Sequence, residues 1–407
     1  MVNSLSMFRS IVFIYSLVFF FALHSRGEDS LQETLFVDFW GNRLAFTQAF
    51  ENLPGLTGLG GIEQYQTLTK CLNRKKATQL NNEIQRVRKT LMLDDWFYYQ
   101  LLRRISQTII AKQENYAGYT LVKQILLELS GFDARVFLSS NKILLYVKSN
   151  DTVYNIPVKK VGEIQYVCLN YHDYMNNIDF SSEKFETEIG NNGVTGTFSY
   201  TIQTIPPFPK DSTVTKHLSF YYNGKMEEYK VRINPYGKEY FKNYPVMDYR
   251  YQFSIPFSSN IEESLIAALK NRIKDMNQKQ GISYLMEFTR SGFQYEADST
   301  IYGGEKRMSP EETILSEKSD CEDRSSLMFA LLTKLYMVPI IVISYPDHVN
   351  LGIALDKPIG KGVEFNGKHY TICEPTPQKK KFRLGFMNQE TFEKGFEIAF
   401  SYDPLAP

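Results

Sequence analysis

Cysteine is scarce in this chain: Cys71, Cys168, Cys321 and Cys373 are the only four among 407 residues. That excludes a disulfide-built scaffold, although three pairings remain open. If Cys321 does chemistry it must stay free, which leaves Cys71 with Cys168 as the one pair to entertain. Histidine is almost as rare, with His24, His172, His217, His348 and His369. A metal site on Cys321, His348 and Cys373 lacks a fourth ligand and close-paired spacing. Charge of one sign is missing too. The net charge is +1, and the strongest basic run, Lys379-Lys380-Lys381, reads as a solvated loop, so no nucleic-acid partner is expected.

One long apolar run exists, "IVFIYSLVFFFAL", 13 residues near the N-terminus. It is short for a bilayer span and suits the h-region of a signal peptide. Ser25 and Gly27 are small residues placed for cleavage before Glu28. Cleavage there removes Arg9 and Arg26 and takes the net charge from +1 to −1. The expectation is an exported protein, periplasmic or secreted to the cell envelope, touching membrane only if that segment is retained.

Aromatic residues are plentiful at 14%, with 27 Tyr and 29 Phe, and favour a substantial β component. From Leu31 to about Lys112 the apolar spacing is helical; from Ala134 it shortens to strand-like runs such as "KILLYVKS" and "IQYVCLNY". Residues 180 to 257 are β in character, with an Asn223-Gly224 hairpin signal. Helices return after Asn260, where Ser259 or Asn260 can cap a stripe of Leu265, Ile266, Leu269 and Ile273. A last helix is followed by strands and a second hairpin signal at Asn366-Gly367. The division is a signal segment (1–27), an N-terminal α+β domain (28–178), a β-rich module (179–258) and a C-terminal helix-plus-antiparallel-sheet domain (259–407), an α+β architecture throughout.

The last helix carries the candidate chemistry, in "EKSDCEDRSSLMFALLTKL" (317–335). Ser319 or Asp320 can cap it, and Leu327, Met328, Leu331, Leu332 and Leu335 form its buried stripe. Cys321 falls in the first turn, where free N–H groups and the helix dipole lower a thiol pKa. Glu322 and Asp323 follow at about 100° per step and need not point where the thiol points. His348 opens a strand 27 residues on, and Glu374 ends the strand "HYTIC" another 26 residues later. A helix followed by antiparallel strands brings the three together: thiol nucleophile, imidazole base and orienting carboxylate, as covalent acyl transfer requires.

These residues, "DCEDRS", "YPDHVNLGI" and "YTICEPT", resemble the transglutaminase-like superfamily with its papain-like Cys, His, Asp order, and in particular its bacterial exported members with a D-C-E-D cysteine motif. The resemblance runs over roughly residues 260 to 378, with one departure: Glu374 stands where the family usually has Asp. It implies a cysteine peptidase, amidase or acyltransferase that hydrolyses or transfers peptide or glutamine-type amides, with catalytic Cys321, His348 and Glu374. Tyr295 and Gln294 become the candidates for an oxyanion donor. No metal or organic cofactor is required, and the partners are protein or peptide substrates, a cell-wall peptide among them. The alternative is a catalytically inactive transglutaminase-like envelope protein acting as a binding or scaffold module.

Two readings of the first domain stay open, a faded copy of the same unit or a chance likeness between helix-then-sheet units that share periodicity. At a shift of 206 residues, "NYAGYTLVKQILLEL" lies under "CEDRSSLMFALLTKL"; at 204, "GEIQYVCLN" lies under "NGKHYTICE". Asn115, Lys142 and Asn170 then replace Cys321, His348 and Glu374, and none of them can do the same chemistry. Such a copy is tested by the strand order of the two sheets.

Overall fold

The computed structural model describes residues 34–139, 142–174, 187–190, 193–207, 209, 213–296, 306–378 and 382–404. The expected signal segment and the Lys379–Lys381 loop lie outside them. Among the described residues no helix is long and apolar enough to cross a membrane.

The first unit opens with a hairpin, β1 (Thr34–Phe39) against β2 (Asn42–Thr47). Four helices follow: Gly61–Cys71, Arg74–Thr90, Asp95–Ile109 and Tyr116–Leu129. Asn73 and Asn115 cap the second and fourth, their side-chain oxygens accepting from the N–H groups of Lys76 and Gly118. Then come β3 (Ala134–Ser139), β4 (Lys142–Lys148), the short β5 (Val153–Tyr154), β6 (Val158–Val161), β7 (Ile164–Cys168) and β8 (Thr187–Gly190). They form an antiparallel sheet in the order β6-β7-β4-β3-β8, with β5 left outside it. Alternation along β3 and β4 sends Val136, Leu145 and Val147 into the core under the helices, and Phe137, Leu144 and Tyr146 to the opposite face.

The second unit repeats the plan. β9 (Val214–Tyr222) pairs with β10 (Lys225–Ile233) across Asn223-Gly224, both at positive φ as a type I′ turn needs. The two-residue β11 (Val246–Met247) pairs back to β5 of the first unit. After the short helices Gly237–Tyr240 and Tyr249–Phe253, a longer helical run starts at Ser259 with Ser258 as its N-cap, one residue before the first of the expected caps, and continues through a π turn (Glu262–Ile266) into Ala267–Ile273. Ser258 is held there because its N–H and hydroxyl both donate to buried Glu311, at 2.8 and 3.0 Å. Leu265, Ile266, Leu269 and Ile273 are all buried. The Gln278–Ser291 helix, a parallel pair of β12 (Gln294–Tyr295) with β13 (Lys318–Ser319), and the Cys321–Leu335 helix follow. The sheet comprises β14 (Ile340–Tyr345), β15 (His348–Ile353), β16 (Gly362–Phe365), β17 (Lys368–Cys373) and β18 (Glu397–Tyr402), ordered β16-β17-β15-β14-β18.

The two sheets therefore share one strand order, and their registers correspond as well. Ser139 faces Lys142 as Tyr345 faces His348, and Ala134 faces Val147 as Ile340 faces Ile353. Val167 faces Val147 as Thr371 faces Ile353. These pairs reproduce the shifts of 206 and 204 seen in the sequence. In each unit a hairpin and several helices precede the helix that leads into the sheet.

Residues 179–258, set apart in the sequence as a β-rich module, have no core of their own among the described residues. Phe198, Tyr200, Ile202, Ile205, Tyr240, Phe241, Met247 and Ile255 pack into the first core. Leu218, Phe220, Tyr229 and Val231 of the hairpin pack into the second. The hairpin faces are half-apolar and find cover on the helices to either side rather than on each other.

Candidate functional site

The head of the Cys321–Leu335 helix is built from acids that cap it. Asp320 is the N-cap and accepts from the Asp323 N–H at 3.2 Å, while the Asp323 carboxylate accepts from the N–H groups of Asp320 and Met308 at 3.3 and 2.8 Å. Both Asp323 oxygens thus accept from backbone donors. Arg324, fully buried, fixes the other side of the helix head: its guanidinium donates to the carbonyls of Arg290 at 2.7 Å, Phe293 at 2.9 Å and Thr289 at 3.2 Å. Burial presses its pKa down to about 10. The guanidinium therefore ties the end of the Gln278–Ser291 helix to the cysteine turn. The sequence shows Arg324 as part of "DCEDRS", but its spacing alone does not reveal that it binds the carbonyls ending another helix.

Cys321 sits at the first helical position, buried. The Ser325 hydroxyl, one turn on, donates to the Val349 carbonyl at 3.0 Å and clamps β15 against the helix. The Val349 N–H in turn reaches Cys321 and works to lower its pKa. His348 therefore opens its strand beside the cysteine turn. Its Nε2 lies 2.7 Å from Glu374 Oε2. Glu374 is 1% exposed, and its other oxygen accepts from the Thr376 N–H at 3.0 Å. Arg290 holds the Glu374 carbonyl. The extra methylene of Glu374 is thus accommodated, with both carboxylate oxygens engaged. Burial opposes the imidazolium, but Glu374, with Glu322 and Asp347 adding to it, overcomes that cost and raises the His348 pKa above its ordinary value.

Glu322 corrects the expectation drawn from the helix angle. Its carboxylate folds back and accepts from the Cys321 thiol at 2.8 Å. A three-bond side chain spans the offset that the 100° step creates. Among the described residues no hydrogen bond joins the thiol to the His348 ring. Burial, then Glu322 and Asp320, push the thiol pKa up, against the helix-head effect expected from the sequence.

The two oxyanion candidates fare differently. Tyr295 is half-exposed with Arg324 stacked 5.8 Å from its ring centre, and its phenol feels Cys321, Asp320 and Glu322 strongly enough to be raised beyond what burial alone does. Gln294 is exposed, and its N–H is used on the Glu317 carbonyl at 3.0 Å. Nothing among the described residues connects its side chain to Cys321. All four cysteines are free thiols, so the Cys71–Cys168 pairing does not form. Among the described residues no group of His, Cys, Asp or Glu is arranged to hold a metal ion.

The corresponding place in the first unit is filled rather than open. Asn170 donates to the Tyr116 hydroxyl at 2.7 Å and to the Ile143 carbonyl at 2.9 Å, and accepts from the Leu145 N–H at 2.8 Å. The Tyr116 hydroxyl donates to Asp173 at 2.7 Å, and Lys112 pairs with the same carboxylate at 2.6 Å. Lys142 opens β4 as His348 opens β15. Compared with protein-family models, with curated proteins and with solved structures, the chain matches none.

Proposed function

We propose that the second unit is a thiol acyl-enzyme of transglutaminase-like type acting on peptide or glutamine-type amides, and that the apolar segment near the N-terminus directs it out of the cytoplasm. The observation that carries this reading is the 2.7 Å contact between His348 Nε2 and the buried Glu374 carboxylate, held next to a cysteine at a helix head. That contact fixes the imidazole tautomer and leaves Nδ1 for the nucleophile. In the proposed reaction, Glu322 gives up the thiol as substrate enters and His348 takes the proton. The Cys321 sulfur then bonds to the amide carbon while helix-head N–H groups receive the oxyanion. Collapse breaks the C–N bond, His348 returns its proton to the leaving amine, and a thioester remains. Water, or an amine acceptor, attacks the thioester and restores the thiol.

A second reading, a binding or scaffold module with an idle triad, is favoured by the Cys321–Glu322 contact and the raised thiol pKa. Acyl trapping separates the two. After exposure to p-nitrophenyl acetate and an acid quench, peptide mass spectrometry finds the acetyl group on Cys321, and His348→Ala loses it. An acetyl group found on Cys71 alone, or on Cys321 equally in both proteins, favours the module.

A further inference from the structure

We infer that the first unit carries an oxyanion-binding cleft of its own, away from the filled place that corresponds to the triad. A cleft of about 550 Å³ opens between the Asp95–Ile109 helix, the turn leading to the Tyr116–Leu129 helix, and the segment that follows β10. Its charge is lopsided: Arg103, Arg104, Lys112 and Lys242 line it against the single carboxylate of Glu239. Two of these cations are already matched, Arg104 by Glu239 at 3.2 Å and Lys112 by Asp173 at 2.6 Å. Among the described residues no carboxylate lies within 4.0 Å ion-pair distance of Arg103 or Lys242, although Asp173 acts on Arg103 from farther off and the guanidinium also bonds the Tyr119 hydroxyl.

Gln100 supplies the second, independent observation. It is 7% exposed and lines the cleft, yet its Nε2 has no hydrogen-bond partner. The Arg103 guanidinium donates to its Oε1 at 2.7 Å, which fixes the amide orientation and sets the free N–H₂ beside the guanidinium. A buried donor left unsatisfied costs roughly 1–3 kcal/mol. Guanidinium and amide donors side by side are a complementary pair for two oxygens of one anion. Lys242, exposed at the rim, adds attraction without having to be desolvated. The chemistry selected is a small carboxylate or phosphate, planar or tetrahedral.

Isothermal titration of the full chain in low-salt buffer, with inorganic phosphate in one arm and succinate in the other, tests this. One of them binds with a Kd below about 1 mM. Lys242→Ala, a surface change that leaves the fold intact, weakens that binding by about fivefold or more, as does adding salt. Gln100→Met, which keeps the volume and removes the amide, weakens it further. Failure of both anions to bind at about 10 mM, or binding untouched by Lys242→Ala, overturns the inference. It rests on the first unit alone and stands or falls apart from the chemistry of Cys321.

Discussion

The ammonium of Lys123 lies inside the first core, 1% exposed, with its nitrogen 4.4 Å from the ring centre of Tyr119. Burial is the main influence on it, reinforced by Arg103 and Lys112 and only partly offset by Asp173 and Cys168; its pKa falls to about 7. The unfolded chain holds that proton to about pH 10.4. Between those values the unfolded state binds more protons, so stability rises with pH; the penalty is complete below about pH 7 and gone above about pH 10.4. Lys123→Met therefore stabilises the protein at pH 7 by about 1–4 kcal/mol, and the gain shrinks toward pH 9–10. Urea denaturation of both proteins at the two pH values measures it. A variant that is less stable by the same amount at each pH contradicts the assignment. At the same scale, burial first and then Glu322 in hydrogen-bond contact raise the Cys321 thiol, against the half-charge of the helix end.

At the scale of elements, most of the second sheet was legible in the sequence. The Asn223-Gly224 and Asn366-Gly367 turns mark hairpins by their left-handed backbone, and both form with the expected register. Ser319 and Asp320 were both readable as the helix cap, as short polar residues before an apolar run, and Asp320 takes that place. The order helix, strand, strand brought His348 to Glu374, and the shifts of 206 and 204 foresaw the matched registers of the two sheets. What stayed hidden depends on partners remote in the chain. The ownership of the β9–β10 hairpin is decided by which helix covers Leu218 and Tyr229, and no local pattern encodes that. The inward turn of Glu322 and the carbonyl grip of Arg324 are side-chain choices made in tertiary context. Tyr116 and Asp173, which fill the corresponding place in the first unit, carry no signal until Asn170 is known to lie between the strands.

For the whole molecule, the two units are interleaved. Tyr240, Phe241, Met247 and Ile255 follow the second unit's hairpin yet pack into the first core, while Phe253 between them packs into the second, and β11 is bonded to β5. A fragment starting at residue 259 loses Leu218, Phe220, Tyr229 and Val231 from the second core. Four large apolar side chains are worth roughly 6–12 kcal/mol. That is comparable to the whole stability of a domain, about 5–15 kcal/mol. Residues 259–407 alone should show no cooperative unfolding, and a sharp thermal transition with native near-UV dichroism would contradict this interleaving. The two sheets share strand order and register, and the places that correspond are occupied differently: the His348–Glu374 pair beside the cysteine turn in one unit, and Asn170, Tyr116 and Asp173 in the other.

Under the proposed function, Cys321 is a nucleophile served by His348 and held in check by Glu322. The pH dependence of Cys321 alkylation, read by peptide mass spectrometry, tests it most directly in the wild type, in Glu322→Gln and in Glu322→Gln combined with His348→Ala. An ordinary thiol titrates near about 8.5, and one paired with an imidazole falls to roughly 3.5–7.5. At pH 6 the wild type should react slowly, Glu322→Gln about tenfold or more faster, and the double variant should lose that gain. Equal rates in the single and double variants, each rising only near pH 8.5, would mean that the histidine does nothing for the thiol, and the acyl-enzyme reading would fall.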